Sequence, residues 1–245
     1  MWNAVGSVSP SSSSSDPRMQ VGLISDIHGN LPALEAVLTD MPEVDAVWCL
    51  GDLVGYNPWP AECLYLVQES ATEVVQGNHD RRLSEPRRMH LSMTPMARKG
   101  LELTKEQLSE DEVQWLEDLP EQTLVNDGRI LLSHSDPRFR DAYLFPEEFQ
   151  NLDRFLENEQ PDVEVLVMGH THVPHVEEVD DVLVVNPGSV GQPRDSDPRA
   201  SYAVLDLEER SVELRRVEYD VEAVIEEVEE SDLPEQIGQR LRSGE

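Results

Sequence analysis

Val21-Gly22-Leu23-Ile24-Ser25-Asp26-Ile27-His28-Gly29-Asn30 joins a short apolar run to a cluster of polar, ligand-type residues, and this kind of junction recurs along the chain. Val21–Ser25 has the length and apolarity of a buried strand, and Leu31–Asp40 behind it reads as a helix. Asp26 and His28 lie two residues apart on an extended turn, so their side chains point the same way. The next apolar run, Ala46–Leu50, ends in Gly51-Asp52 and is followed by a helix over Pro60–Glu69. A third run, Glu73–Gln76, ends in Gly77-Asn78-His79-Asp80. Short strands alternating with helices predict an α/β fold with parallel strands at its start.

Further along, Arg81–Leu119 breaks the rhythm and reads as a helical insertion interrupted at Pro86 and Pro95. Arg129–Ser133 is a strand delivering His134, Pro146–Glu159 a helix, and Val163–Met168 a strand delivering Gly169-His170-Thr171-His172. Val173–Val179, Val182–Asn186, Ser201–Asp206 and Val212–Val217 follow in close succession and predict an antiparallel meander. Val221–Glu230 and Pro234–Leu241 form an acidic helical end, about 220–245. No internal repeat is present. Residues 1–18 carry a Ser run that cannot build a core and are expected to be a flexible leader without signal-peptide character, with Met19 an alternative start. The expected organisation is that leader followed by one domain over 19–245.

Nineteen basic residues against 50 acidic ones give a net charge of −31, and Lys99 and Lys105 are the only lysines. Such a chain repels nucleic acid and anionic membrane, so neither is an expected partner. The acids are spread along the whole chain, which predicts an acidic surface suited to a salt-loaded cytoplasm where repulsion is screened. No run of apolar residues is long enough to span a bilayer. Cys49 and Cys63 sit in apolar surroundings and predict two buried, reduced thiols.

Five polar clusters each follow an apolar run, and open α/β sheets gather ligands at the carboxyl ends of their strands. Asp-x-His or Gly-Asp alone carries little information. Gly-Asn-His-Asp and Gly-His-Thr-His after strands are specific, and the clusters occupy five of the seven histidines. The ligand set is then Asp26, His28, Asp52, Asn78, His134, His170 and His172. This mixture of carboxylate, amide and imidazole suits two divalent cations about 3.5–4 Å apart. Manganese is expected, with iron, nickel or zinc as alternatives. His90 is expected at the surface of the insertion and His175 in a strand near the site.

In the order D-x-H, G-D, G-N-H-D, H, G-H-x-H, these blocks resemble the calcineurin-like metallophosphoesterase superfamily. The run Asn186-Pro187-Gly188-Ser189-Val190-Gly191-Gln192-Pro193-Arg194 is similar to its compact prokaryotic phosphodiesterase branch; together with the charge it suggests a halophilic archaeal source. The resemblance implies a four-layer αββα fold with two mixed β-sheets. It implies a first metal on Asp26, His28 and His172, a second on Asn78, His134 and His170, and Asp52 bridging both. His79 would assist the leaving oxygen, with Asp80 orienting its ring, and Asn30 and Arg194 are candidate substrate contacts. The implied reaction is hydrolysis of a small phosphoester, most of all a phosphodiester, by a hydroxide held between the metals, whose bound water has its pKa lowered from about 15.7 towards 7. A phosphomonoesterase and a non-catalytic scaffold of the same fold are the alternatives, and a homo-oligomer is compatible with the sequence.

Overall fold

The computed structural model describes residues 19–85 and 93–245, so the leader and His90 lie outside the described residues. Two five-stranded mixed sheets stack face to face. The first has the order β10-β9-β1-β2-β3, from Ser211–Val217, Ala200–Asp206, Gln20–Ile24, Ala46–Cys49 and Glu73–Val74. The second runs β4-β5-β6-β8-β7, from Gln122–Val125, Ile130–Ser133, Val165–Val167, Val182–Asn186 and His175–Val179. β1, β2 and β3 are parallel, as are β5, β6 and β8.

Strand alternation sorts the core into layers. Val21, Leu23, Ala46 and Trp48 face Ile130, Leu132, Val165 and Val167 between the sheets. On the outer face of the first sheet, Ile24, Val47 and Cys49 meet α1 (Leu31–Asp40) and α2 (Pro60–Ser70). On the outer face of the second, Leu131, Leu166 and Val184 pack on the 3₁₀ turn Pro146–Asn151 and on the helix Asp153–Glu159. This is the helix–sheet–sheet–helix arrangement expected. Each of these aliphatic side chains contributes about 1.5–3 kcal/mol by leaving water.

The four strands expected to form one meander are divided between the sheets. β7 and β8 pair as a hairpin in the second, while β9 and β10 pair as a hairpin in the first, with β9 antiparallel to β1. The connection Pro187–Arg199 carries the chain across the top of both sheets, which local pairing rules cannot anticipate. The helix expected over Pro146–Glu159 is split, because Leu152 donates to Phe149 in a three-residue turn that breaks the α-helical ladder. β4 carries no apolar alternation and lies at an edge, so no periodic signal marked it. Cys49 and Cys63 are buried free thiols. Among the described residues no helix is long and apolar enough to cross a membrane.

Between β3 and β4 lie the short helix α3 (Asn78–Arg82), then α4 (Pro95–Gln107) and α5 (Glu110–Asp118). α6 is the helix Asp153–Glu159, and α7 (Val221–Glu230) and α8 (Gln236–Gln239) form the acidic end. Val224, Val228, Ile237 and Leu241 of that end pack on Tyr56, Ala97, Met93 and Met96, so the insertion and the last residues share one apolar cluster. Gly100 of α4 lies against the backbone of Tyr56, where a Cβ would come within 2.1 Å of the Tyr56 nitrogen. Helix propensity alone favours alanine there by about 1 kcal/mol. The contact demands the opposite sign, because overpacking a fixed backbone costs about 1–3 kcal/mol. Gly100→Ala is therefore expected to lower stability in urea titrations; a stabilised variant would show that α4 is free to move off Tyr56.

Candidate metal centre

The chain turns left-handed where the donors sit. Asp26 (φ 54°), His28 (50°), Asp52 (54°), His170 (68°) and His172 (61°) all have positive φ, as does Gly51 at 88°. Cross-loop hydrogen bonds hold these turns. Asp26, His28 and Gly29 donate their amides to the carbonyls of Gly51, Asp52 and Leu53, and Gly169 donates to His134. Val190 and Gly191 donate to Ser25 and Asp26, seating the crossing loop on the first turn.

The expected donors meet at the ends of both sheets. Ligand atoms of Asp26, His28 and His172 lie within 4.8 Å of one another, and so do those of Asp52, His134 and His170. Asp52 Oδ2 lies between the two groups, 3.6 Å from His28 Nε2 and 3.4 Å from His134 Nε2. Asn78 Oδ1 is 3.3 Å from His134 Nε2. The rings of His134 and His170 are 5.0 Å apart, so His134, the one histidine whose polar cluster supplies no second expected ligand, does reach the Gly169–His172 turn. His28, Asp52 and His79 form a third close group.

Hydrogen bonds at the far side of each ring set the tautomers. Nδ1 of His28, His134 and His172 is 3.1, 2.7 and 2.5 Å from the carbonyls of Val54, Leu50 and Gln192. A backbone carbonyl only accepts, so each Nδ1 carries a proton, and in the neutral rings of His28 and His172 Nε2 presents a lone pair inward. His170 is reversed: its Nε2 donates to Asp141 O at 3.2 Å, leaving Nδ1 as the free donor atom. The inward Nε2 atoms of His28 and His172 are only 3.2 Å apart. Asp26 Oδ1 is buried with no hydrogen-bond partner, while Oδ2 accepts from Ser25 and from the His170 amide. Facing lone pairs beside an orphaned carboxylate oxygen are the environment that divalent cations relieve, so the donor set fits metal ions.

The charges agree. Burial raises the Asp26 and Asp52 carboxyls, but the surrounding histidines outweigh it and hold both below the ordinary carboxylate range. Burial pushes His28 and His172 down, and takes His170 to about 4. His134 opposes this trend: burial would lower it, yet Asp52 and Asp26 carry it up to about 10.

Two expected roles are not the ones the contacts support. Asp80 does not orient the His79 ring. Its oxygens accept the amides of Asp52, Leu53, Val54 and Gly77, and burial followed by Asp52 raises its carboxyl to about 7. It is a brace for the Asp52 loop. Asn30 contacts no substrate space: its Oδ1 caps α1 at Ala33, its amide donates to Gly191 O and Tyr219 Oη, and it is fully buried. His175 pairs with Glu177 on β7 and joins none of the three donor groups, as expected for a strand residue. Arg194 does line the cavity of about 230 Å³ that opens over Asp52, Asn78, His79, His170 and His172.

The sequence did not mark Tyr56, Tyr143, Arg240 and Asp141. The first three line the same cavity, and Tyr143 stacks on His170 at 4.1 Å. Asp141 binds Arg81 and Arg82 with its carboxylate and His170 with its carbonyl. Burial raises its carboxyl, but Arg81 and then Arg82 hold it below its usual value. A depressed folded value stabilises the protein above the unfolded value of about 3.9, and this contribution fades as pH falls through the folded value. Asp141→Asn is expected to reduce the dependence of unfolding free energy on pH below about 4, relative to wild type; identical acid limbs would show that this pair adds no pH-linked stability. Manganese added to chelator-stripped protein is expected to raise Tm, by about 2.7 kcal/mol of stability at a hundredfold excess over Kd, and His172→Ala is expected to remove most of that gain.

Residues 19–210 match the model of the calcineurin-like phosphoesterase superfamily domain. An uncharacterized protein of Methanocaldococcus jannaschii is 30% identical over 248 residues, covering 93% of this chain and 99% of that one. Phosphodiesterase YfcE of Escherichia coli K12 is 31% identical over 206 residues, covering 79% and 91%. The crystal structure of a metallophosphoesterase from Sphaerobacter thermophilus superposes with a TM-score of 0.78 at 36% identity, covering 93% of this chain and 100% of that one. Motif order, two-sheet architecture and convergent donors therefore have one common explanation: the chain belongs to the calcineurin-like phosphoesterase superfamily.

Proposed function

We propose that this chain hydrolyses phosphodiesters at a dinuclear metal centre. The observation that carries this is Asp52, whose Oδ2 stands between two separate histidine groups, as a ligand shared by two cations requires. The first cation would be held by Asp26, His28 and His172, and the second by Asn78, His134 and His170. Bound cations supply a nucleophilic water at neutral pH and neutralise charge on the phosphate oxygens. Manganese is the proposed metal, since three carboxylate or amide oxygens join four imidazoles and no thiolate takes part.

The chain's own residues do the rest. His79 Nδ1 is buried without a partner against Gly55, where a Cβ would come within 2.5 Å of it. A proton there would be a buried, unsatisfied donor, so it belongs on Nε2. Burial lowers the ring to about 4, so at neutral pH His79 offers a neutral N–H. In hydrolysis the water oxygen bonds to phosphorus, the bond to the leaving oxygen breaks with its electron pair going to that oxygen, and the neutral His79 stabilises it by donating a hydrogen bond, the proton it finally takes coming from the attacking water. The Asp52 carboxylate accepts the His79 amide at 2.8 Å, which ties the donor to the metal site.

A surface of charge −31 opposes the approach of an anionic ester. Cations invert the sign locally, and a salt-rich cytoplasm, proposed here as the working environment, screens the remainder. YfcE is named a phosphodiesterase and supports the diester reading. A bis(5'-nucleosyl)-tetraphosphatase of Pectobacterium carotovorum is 40% identical over 67 residues, 25% of this chain, and motivates the comparison with phosphoanhydrides.

The test is a substrate panel in high salt with manganese, nickel, magnesium and zinc in turn. Bis-p-nitrophenyl phosphate is expected to be hydrolysed faster than p-nitrophenyl phosphate, with manganese most effective. His79→Ala is expected to lose about 10²–10⁴ in rate. Metal-loaded protein inert on diesters, monoesters and dinucleoside tetraphosphates alike would end the hydrolase reading.

A further inference from the structure

In a chain with 50 acidic residues, cationic side chains readily find carboxylates. Arg81 and Arg82 hold Asp141, Arg129 holds Glu164, Arg138 holds Asp136, Arg199 holds Asp197, and Arg242 holds Glu222. Arg194 and Arg240 do not. Among the described residues neither meets a side-chain carboxylate, although both line the cavity over the donor groups. Asp195, next to Arg194 in sequence, is turned to Arg216. Arg194 gives one hydrogen bond, to Gln192 Oε1 at 2.8 Å, and its buried Nε has no partner. Arg240 donates Nε to the main-chain oxygen of Glu245.

The two arginines also share one cavity lining and repel one another. Burial and then the neighbouring Arg194 charge both lower the pKa of Arg240, and both arginines act on the Tyr56 phenol. Two like charges at half-buried positions destabilise the free protein, and Glu245 offsets this only at Arg240. Their geometry is nevertheless held firmly. Ile237 and Leu241 anchor the Arg240 segment in the cluster around Tyr56. The Ser196 amide donates to Gly244 O at 2.9 Å, tying the end of the chain to the loop that carries Arg194. Arg194 is itself linked to the metal site, its amide donating to His172 O at 3.4 Å.

We propose that Arg194 and Arg240 form an anion subsite for a second, non-reacting phosphate, so that the substrate is a phosphoester carrying two phosphate groups. This rests on the phosphoester reading of the centre beside it. Guanidinium forks match phosphate oxygens in pairs, and a second phosphate supplies counter-charge to Arg194, which meets no carboxylate, and adds to what Glu245 gives Arg240. The metal site takes the reacting phosphate while the arginine pair takes the other, which distinguishes a phosphoester bearing two phosphates from a simple diester.

Matched ligands differing by one phosphate provide the test. Calorimetry on manganese-loaded protein at constant ionic strength would compare thymidine 5'-phosphate with thymidine 3',5'-bisphosphate and thymidine 5'-diphosphate, two spacings of the second group. Wild type is expected to prefer at least one of the two by about tenfold, equivalent to about 1.4 kcal/mol. Arg240→Gln is expected to erase that preference and Arg240→Lys to keep part of it. Thymidine 5'-p-nitrophenyl phosphate with and without a 3'-phosphate gives the kinetic counterpart, where the ratio of kcat/KM values is expected to fall in Arg240→Gln if the bisphosphate spacing is the preferred one. Arg194→Gln serves as the second variant should Arg240→Gln fail to fold. A wild type with no preference for either spacing overturns the proposal, as does a variant that weakens all three ligands equally. Calorimetry needs no turnover, so selective binding by an inactive protein would remove the hydrolase reading and leave the subsite standing.

Discussion

Everything at the centre depends on a backbone conformation that ordinary residues avoid. Five of the seven expected donors, Asp26, His28, Asp52, His170 and His172, lie in the left-handed region. Each such residue costs roughly 1–2 kcal/mol relative to the usual conformation. The strain persists because the turns hydrogen-bond to one another rather than to water: the Asp26 turn to the Gly51–Leu53 turn, and the crossing loop to the Asp26 turn. Glycine meets the tightest contacts. At Gly77 a Cβ would come within 2.1 Å of both the Asp52 amide and its Oδ1, and at Gly191 within 1.7 Å of Ile27 O. The reward is directional. A left-handed residue at a strand end swings its side chain over the sheet edge, and donors from both sheets then point at one small volume.

That volume is electrostatically unbalanced. Two carboxylates are buried among imidazoles that burial holds neutral, with the exception of His134, whose position beside Asp52 and Asp26 favours the proton. Buried charges persist only when paired or when they coordinate metals, and breaking such a group costs about 3–5 kcal/mol. The surrounding apolar layers bear this load. Trp48, Leu50 and Val75 beneath the turns are fixed by close packing between the sheets, so the donors cannot relax away from each other. Asp80 shows the same economy. A carboxylate one residue from His79 is spent on four backbone amides, because the Asp52 loop must be held before Asp52 can sit between two groups.

The layers and most donors were legible in the sequence for a common reason. A buried parallel strand announces itself by a short apolar run, and the donor follows directly as the chain leaves the sheet. Leu31–Asp40 and Val182–Asn186 were bounded correctly from pattern alone, since Asn30 caps the helix and Pro187 ends the strand. What stayed hidden depends on distant pairing. Whether β9 joins β8 or β1 is decided by the crossing loop, not by β9 itself. Asn30 and Asp80 carry ligand-type side chains within specific motifs, yet backbone groups claim them, and no sequence pattern separates those uses. Tyr143 and Arg240 lie in segments without motifs, and only packing against His170 and Tyr56 brings them to the cavity.

The centre and its rim therefore obey different constraints. Donor positions are set by strained turns and tolerate almost no displacement, so they recur as short, readable motifs. Part of the rim comes from the insertion helix α4 with its cap and from the final residues, which meet in one apolar cluster and reach the cavity through Thr94, Met96 and Arg240, beside Arg194 of the crossing loop and Tyr143. The family match ends at residue 210, before that cluster is complete. A cluster needs only apolar volume of about the right size, so its polar outliers can change without disturbing the turns. The strand ends can then stay fixed while the rim varies at residues such as Arg240, whose place is held through Leu241 and Ile237 rather than through the sheet.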